Sequence, residues 1–400
     1  MSELAILGGE PIRREPLPAW PSYDSAQIDA VKAVLVSGKV NYWSGQAGKD
    51  FEQAFAHFIG TQYGIALANG TVALELALMA LGIGPGDEVI VPSRTFIATA
   101  SSVVMRGATP VVVDVDFDSQ NMTVETILPA LTDKTKAIIP VHLGGWPCDM
   151  PAIMTLAEKH QLLVIEDCAQ AHGAEISGQK VGAFGHAAAF SFCQDKIMST
   201  GGEGGMLLMN DESLYKRAWS YKDHGKDYDE VYKANPEPTF RWLHTSFGTN
   251  WRMTEMQAAI GLQQLAVLPE WVDKRRQNAA ELSKQLSSCP GLKCISPPEH
   301  IKHVYYRYYM VILMDKLSPG WDKNRITEAI NAEGIPCFYG SCSEIDQEKA
   351  FAELPRQLPH DKARMLSNES IAVLIHPTIT VKDVDDIAKA VIKVMVRATQ

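Results

Sequence analysis

One lysine and one aspartate are spaced to do covalent chemistry together. Lys196 lies in the stretch FSFCQDKIMSTGGEGG, residues 190–205, between apolar segments 187–192 and 205–209 that read as strands. A lysine held between buried strands is partly desolvated, which frees its amine as a nucleophile. Asp167 closes the apolar run 162–169, which ends in IEDCAQ. If these strands share a sheet, both side chains reach one edge. A lysine Schiff base paired with an acid that holds a pyridinium nitrogen is what a pyridoxal phosphate (PLP) enzyme requires. An isolated loop lysine is ordinarily just solvated, so the pairing carries the reading.

Other residues fit the same chemistry, each with a plainer alternative. Asn69-Gly70-Thr71 precedes the Ala- and Leu-rich run VALELALMAL. Amides at a helix N-terminus beside a small hydroxyl can seat a phosphate, and the same triplet serves as an ordinary N-cap. Ser191 at a strand end offers a second phosphate contact or a satisfied strand serine. Phe96, in the stretch PSRTF, can stack on a flat pyridine ring or fill the core. The loop GKVNYWSGQAG, 38–48, reads as a turn packed on the core or as a substrate-facing loop presenting Trp43.

The elements that must position these groups alternate regularly. Periodicity predicts helices over 25–37, 49–59, 71–81, 98–106, 123–131 and 151–160, the first with Ile28, Val31, Val34 and Leu35 on one face. Compact apolar strands are expected at 88–91, 110–115, 137–142, 162–165 and 187–192. This alternation predicts an α/β fold with a mostly parallel sheet covered by helices on both faces. Ligands of such sheets bind at the carboxyl ends of the strands, where Asp167, His142 and Lys196 would meet. After residue 210 the pattern changes. Residues 224–249 read as a long functional loop, and 254–286 as a helix with Pro269 marking a break or kink. A tyrosine-rich strand (304–314) and helices at 323–333 and 381–396 suggest a smaller α+β unit, with Pro297-Pro298 as its hinge. The expected organisation is an N-terminal arm 1–25, a large domain 26–265 and a small C-terminal domain 266–400.

Composition narrows the field. The 400 residues are 46% hydrophobic and 21% charged, with 37 Lys+Arg against 47 Asp+Glu and a net charge of −10. An acidic chain without a basic run is a poor nucleic-acid binder. Seven scattered cysteines with no CxxC pair or zinc spacing suit reduced thiols and no metal site. Without a signal peptide or membrane-length apolar run, a cytoplasmic protein is expected, and the sequons at Asn69, Asn121 and Asn368 are chance matches. Gly82-Ile83-Gly84-Pro85-Gly86 precedes a strand, where a dinucleotide fingerprint would follow one. No P-loop and no HExxH motif occurs.

Taken in order, these motifs resemble the DegT/DnrJ/StrS-type family of PLP-dependent sugar aminotransferases, from Gly8-Gly9 to His376-Pro377-Thr378. The resemblance implies the aspartate-aminotransferase-like fold (PLP fold type I). It assigns the Schiff base to Lys196, the ring-nitrogen partner to Asp167 and the phosphate cup to Gly70, Thr71 and Ser191. It assigns ring stacking to Phe96 and the neighbour of the ring oxygen to Gln170. Asn250, in GTNWRMTEMQAAIG, would reach the phosphate of the neighbouring subunit in a homodimer with shared active sites. Trp43, His142 and His376 are the corresponding candidate substrate contacts.

Departures from the family pattern are informative. His142 is followed by Leu-Gly-Gly instead of the usual Leu-Tyr-Gly, which implies a more open pocket wall. The loop 225–245 is long, and CFYGSCSEI, 337–345, marks a subgroup. Relatives with histidine at the lysine position are dehydratases, which Lys196 argues against. The implied reaction moves an amino group from glutamate or glutamine to a keto sugar, nucleotide-linked, for surface polysaccharides or secondary metabolites. A cyclitol (inosose-type) aminotransferase and a non-catalytic PLP- or sugar-binding regulator are the alternatives.

Overall fold

Short strands whose alternate residues face opposite helical layers make the main sheet. The computed structural model describes residues 3–233, 243–354 and 358–400. Seven strands form the large sheet: β1 (Tyr63–Leu67), β2 (Glu88–Pro92), β3 (Thr109–Val113), β4 (Thr135–Ile138), β5 (Leu163–Asp167), β6 (Ala187–Ser191) and β7 (Gly205–Met209). Their order is β1-β7-β6-β5-β4-β2-β3, and only β7 runs antiparallel to its neighbours. In β6, Ala187 and Ala189 enter the core on one face while Ala188 and Phe190 enter the core on the other. Covering a sheet on both faces demands this absence of a polar side.

The covering helices include α1 (Ser25–Ser37), α2 (Ala47–Ile59), α3 (Gly70–Ala80), α4 (Ala98–Met105), α5 (Met150–His160) and α6 (Glu212–Lys222). Each expected helix and strand of this region is present, except that 123–131 is one α-helical turn, Val124–Ile127, followed by a 3-10 turn. Strand β1 was not anticipated. It has a single β-branched residue, Ile65, and a glycine, Gly64, at which a Cβ would lie 2.7 Å from the Glu52 carbonyl oxygen. Close packing on α2, rather than strand propensity, makes it a strand.

The long helix α7 (Glu255–Leu286) runs through Pro269 as one element, with no break at the position where a break or kink is expected. Leu265, Leu268 and Val272 are buried around the proline, so packing holds the turn that lacks one hydrogen bond. Residues 234–242 of the expected loop 224–249 lie outside the described residues, and 228–232 form a short helix.

A second sheet of four antiparallel strands follows, ordered β8 (Leu292–Lys293), β9 (Tyr308–Ile312), β11 (Ser370–Val373) and β10 (Cys337–Phe338). Pro297-Pro298 is not the entry to this unit. The chain has already joined the second sheet at β8, and after the prolines Ile301–Lys302 pairs back onto Glu175–Ile176. The N-terminal segment is tied down. Leu4 joins the second core, Arg13 bonds Asp383 and Asp386 at 2.7 and 3.0 Å, and Glu333 accepts from the Ala5 and Ile12 amides.

Helix α1 buries only Gln27 within the chain. Ile28 and Leu35, two of the four residues on its apolar face, are 60 and 55% exposed, and Val36 is 81% exposed, so much of the helix's apolar surface meets solvent in the single chain. Among the described residues no helix is long and apolar enough to cross a membrane.

Candidate active site

The carboxyl edge of the large sheet opens on a cavity of about 730 Å³, lined by loops of the first sheet and by residues of the second. That volume lies in the upper part of the range for small-molecule sites. Strand β5 delivers Asp167 and β6 delivers Ser191, while the turn after β6 brings Lys196 to the same wall. Asp167 is 6% exposed. Its Oδ1 accepts from the Ala169 N–H at 3.1 Å and its Oδ2 accepts from the Thr99 hydroxyl at 2.9 Å. Burial pushes its carboxyl above the ordinary aspartate range, against the Ala169 N–H, the Thr99 hydroxyl and the Lys196 charge. A buried carboxylate in this state gains from a cation such as a protonated ring nitrogen.

Lys196 is fixed through its backbone, leaving the amine to the cavity. Its N–H donates to the Cys193 carbonyl at 3.1 Å, and its carbonyl accepts from the Trp20 indole N–H at 2.8 Å. Its Nζ lies 3.7 Å from Asp195 Oδ1 and 5.0 Å from the Tyr306 ring centroid. Asp195 Oδ2 in turn accepts from the Tyr306 hydroxyl and lies 3.7 Å from Arg307 Nη2. Burial alone would raise the Asp195 carboxyl, but Lys196, the Tyr306 hydroxyl and Arg307 outweigh it and hold it below its ordinary value.

The N-terminus of α3 also lines the cavity. Asn69 accepts from the Val72 N–H at 3.0 Å, so the cap and the phosphate-seat readings of Asn69-Gly70-Thr71 are compatible. Gly70 is required there: a Cβ would lie 2.7 Å from Ser191 Cβ. Helix start and strand end thus converge without intervening side chains, leaving a cradle lined by Gly70, Thr71 and Ser191. Phe96 lines the cavity yet is 66% exposed, an apolar ring that a flat ligand would cover. Gln170 also lines it, with Oε1 accepting from the Gly144 N–H at 2.7 Å and its amide N–H groups left to donate. These features fit PLP: an anion cradle, a ring-sized surface, a lysine and a buried acid on one cavity.

Four expected site residues lie elsewhere in this chain. Asn250 is exposed and does not line the cavity; its segment is held by Thr249 N–H to the Tyr221 carbonyl and Trp251 N–H to that of Lys222. Trp43 packs edge-on against Trp219, with Lys226 Nζ 4.2 Å from its ring centroid, away from the cavity. His142 does not line the cavity. It is fully buried, its Nδ1 accepts from the Cys148 N–H, and its Nε2 meets Glu166 at 3.1 Å. Glu166 also accepts from the Gly182, Phe184 and Gly185 amides. Although the donors of His142, Glu166 and Cys168 lie within 4.8 Å of one another, this knot is satisfied by protein hydrogen bonds. His376 likewise lies off the cavity lining. It stacks on Trp20 at 5.8 Å and bonds the Thr378 hydroxyl at 2.8 Å, and burial together with Arg275 and Arg307 pushes it down to about 3.

The pocket wall beside Gly144 is closed, not opened. A Cβ on Gly144 would lie 2.8 Å from the Tyr309 ring, and one on Gly340 would lie 2.3 Å from the same ring. Tyr309 therefore fills the space between two glycines, and its hydroxyl accepts from the Ser341 N–H at 3.1 Å. Sequence reading missed this ring, together with Thr99, Tyr306, Arg307 and the buried clamp Arg94. Arg94 reaches Gln120 at 2.8 Å, Ser370 at 2.9 Å and the Ser343 hydroxyl, fastening segment 337–345 over the cavity.

Comparison with known proteins agrees with this geometry. The DegT/DnrJ/EryC1/StrS aminotransferase family profile matches residues 21–392. The chain is 38% identical over 313 residues to a GDP-perosamine synthase of Escherichia coli O157:H7, covering 78% of this chain and 80% of that protein. It is 37% identical over 346 residues to the L-glutamine:2-deoxy-scyllo-inosose aminotransferase of Streptomyces kanamyceticus, covering 84% and 79%. The crystal structure of an aminotransferase from Psychrobacter cryohalolentis superposes with a TM-score of 0.94 at 49% identity, over 96% of this chain and all of that one.

Proposed function

The chain belongs to the DegT/DnrJ/EryC1/StrS aminotransferase family, and from that premise we propose that it binds PLP and moves an amino group from glutamate or glutamine to a nucleotide-linked keto sugar. The observation that carries the proposal is Lys196 and Asp167 on one cavity that the α3 N-terminus also lines. Bound there, PLP supplies a carbonyl for amine capture and a ring that accepts electrons from the adjoining carbon. Lys196 Nζ would hold the cofactor covalently, and its freed amine would be the base that moves a proton at the donor carbon. Asp167, oriented by Thr99, would keep the ring nitrogen protonated, and the Gly70 and Thr71 amides with Ser191 would hold the phosphate. Phe96 would cover one ring face, and the Gln170 amide would donate to the ring oxygen.

Products of this kind serve surface polysaccharides or secondary metabolites. A cyclitol acceptor is the second reading, favoured by similarity to an inosose aminotransferase as close as that to a sugar-nucleotide enzyme. The test is a panel of nucleotide-linked keto sugars and inososes against both donors. Glutamate or glutamine is expected to bleach the visible absorbance of the yellow enzyme, and a keto sugar on a nucleotide to restore it. Restoration by inososes alone would shift the assignment to the cyclitol reading, and no bleaching by either donor would defeat both.

The site is proposed to be completed by a second copy of the chain. Asn250 is exposed away from its own cavity, Phe247 beside it is 99% exposed, and α1 leaves Ile28 and Leu35 uncovered. Exposed apolar groups of this kind favour a symmetric partner surface. Lys196→Ala and Asn250→Asp are each expected to be nearly inactive, the second through like-charge repulsion of the phosphate. In a mixed dimer one site carries both defects and the other neither, so about half the sites recover. Activity of the doubly tagged species, isolated after co-expression, checks this. No recovery, with Asn250→Asp folded and inactive by itself, would show that the site is not shared through this residue.

A further inference from the structure

Arg307 has no part in the chemistry described above. It stands just before β9 and, with Lys196, is one of two cationic side chains lining the cavity among the described residues. Its guanidinium carbon lies 4.9 Å from the Tyr306 ring centroid and 5.5 Å from that of Phe338. Two aromatic neighbours hold the cation without consuming its N–H donors. Its anionic neighbour is Asp195, 3.7 Å away and beyond hydrogen-bonding distance. The planar fork is therefore positioned, charged and largely unspent, which is the condition for taking a carboxylate from solution.

Its place relative to Lys196 identifies which carboxylate. Asp195 turns one oxygen to Lys196 Nζ and the other to Arg307, each at 3.7 Å, and the Tyr306 ring lies about equally far from both cations. In an α-amino acid the reacting amine and the α-carboxylate sit on one carbon. A donor whose amine reaches the Lys196 position brings that carboxylate toward the neighbouring cation. The phosphates of a sugar nucleotide lie beyond a whole sugar ring from the reacting carbon and are poorly matched to so short a span. We infer that Arg307 is the subsite for the α-carboxylate of the amino donor, with Asp195 occupying its anionic position until the donor arrives. The inference rests on the aminotransferase reading and deepens it.

The test uses the PLP-loaded enzyme and 2-oxoglutarate, the keto acid left by glutamate, which bears the carboxylate but no amine to react. Calorimetry is expected to show Arg307→Gln weakening 2-oxoglutarate binding by roughly 10- to 100-fold, the usual scale for a charge-assisted bond. Arg307→Lys, which keeps the charge without the fork, should fall between the two. In steady-state assays the KM for glutamate should rise by a similar factor, while the KM for the acceptor stays within about three-fold. Arg307→Gln binding 2-oxoglutarate within two-fold of the parent would overturn the inference, as would a loss confined to the acceptor. A parent enzyme that transaminates with neither donor would instead defeat the aminotransferase reading, and that result is read without any variant.

Discussion

Lys196→Ala is expected to lose transamination by on the order of 10³-fold or more, because it removes both the covalent anchor and the base. The fold should survive. The lysine is held by main-chain bonds to Cys193 and Trp20, which alanine keeps, and its Nζ has only longer contacts, 3.7 Å to Asp195 and 5.0 Å to the Tyr306 ring. A substitution with so few side-chain partners shifts stability by about 1 kcal/mol or less. The α3 cradle and Asp167 remain, so the variant should still bind PLP noncovalently, without the visible absorbance of the Schiff base. Rate assays and absorbance spectra on the purified variant check both points. A variant turning over within ten-fold of the parent would contradict the role given to Lys196.

Asp167→Asn separates charge from shape at the second key position. Asparagine can keep an acceptor for the Ala169 N–H and turn its NH2 toward Thr99 Oγ1. The Thr99 hydroxyl can then donate to Thr95 Oγ1, 2.9 Å away, so the direction of the local network inverts. Burial already raises the Asp167 carboxyl, so an uncharged amide relieves a desolvation cost. Without cofactor the variant is expected to melt at or above the parent temperature. With cofactor it should lose at least about 10²-fold in rate, because a neutral pyridine is a poor electron sink. Gaining stability while losing activity is the signature of a strained functional group. Thermal melts of the cofactor-free protein and single-turnover rates of the loaded protein measure the two halves. A PLP-loaded variant within a few-fold of the parent rate would remove Asp167 from its assigned role.

What sequence revealed and what it hid follow from separation along the chain. Lys196, Ser191 and Asp167 sit at the ends of compact apolar strands, and Gly70-Thr71 opens a helix, so local pattern and sheet topology bring them to one edge. Thr99 could be named as a helix residue, but its bond to Asp167 crosses 68 positions and depends on how α4 packs. Tyr306, Arg307 and Tyr309 reach the cavity from the second sheet, and no periodicity in a tyrosine-rich strand says which rings face it. The glycine pair at 144 and 145 suggested open space. Only the packing shows that Tyr309 fills it, against a second glycine at 340. The sequence puts His142 at the sheet edge as the end of an expected strand, and His376 comes in through the His376-Pro377-Thr378 segment of the family resemblance. Packing keeps both rings out of the cavity lining, His142 between Cys148 and Glu166 and His376 against Trp20 and Thr378. The exposed face of α1 went unrecognised because a helix covered by a partner and one covered by its own core share the same periodicity.

The central claim is that Lys196 forms the covalent link to PLP. Borohydride reduction of the yellow enzyme converts a Schiff base into a stable amine, after which proteolysis and mass spectrometry locate the modified residue. The account predicts one pyridoxyl-phosphate adduct, on the peptide containing Lys196, blocked when glutamate has first converted the cofactor to its amine form. An adduct on another lysine, or none on an enzyme that carries PLP and transaminates, would contradict it.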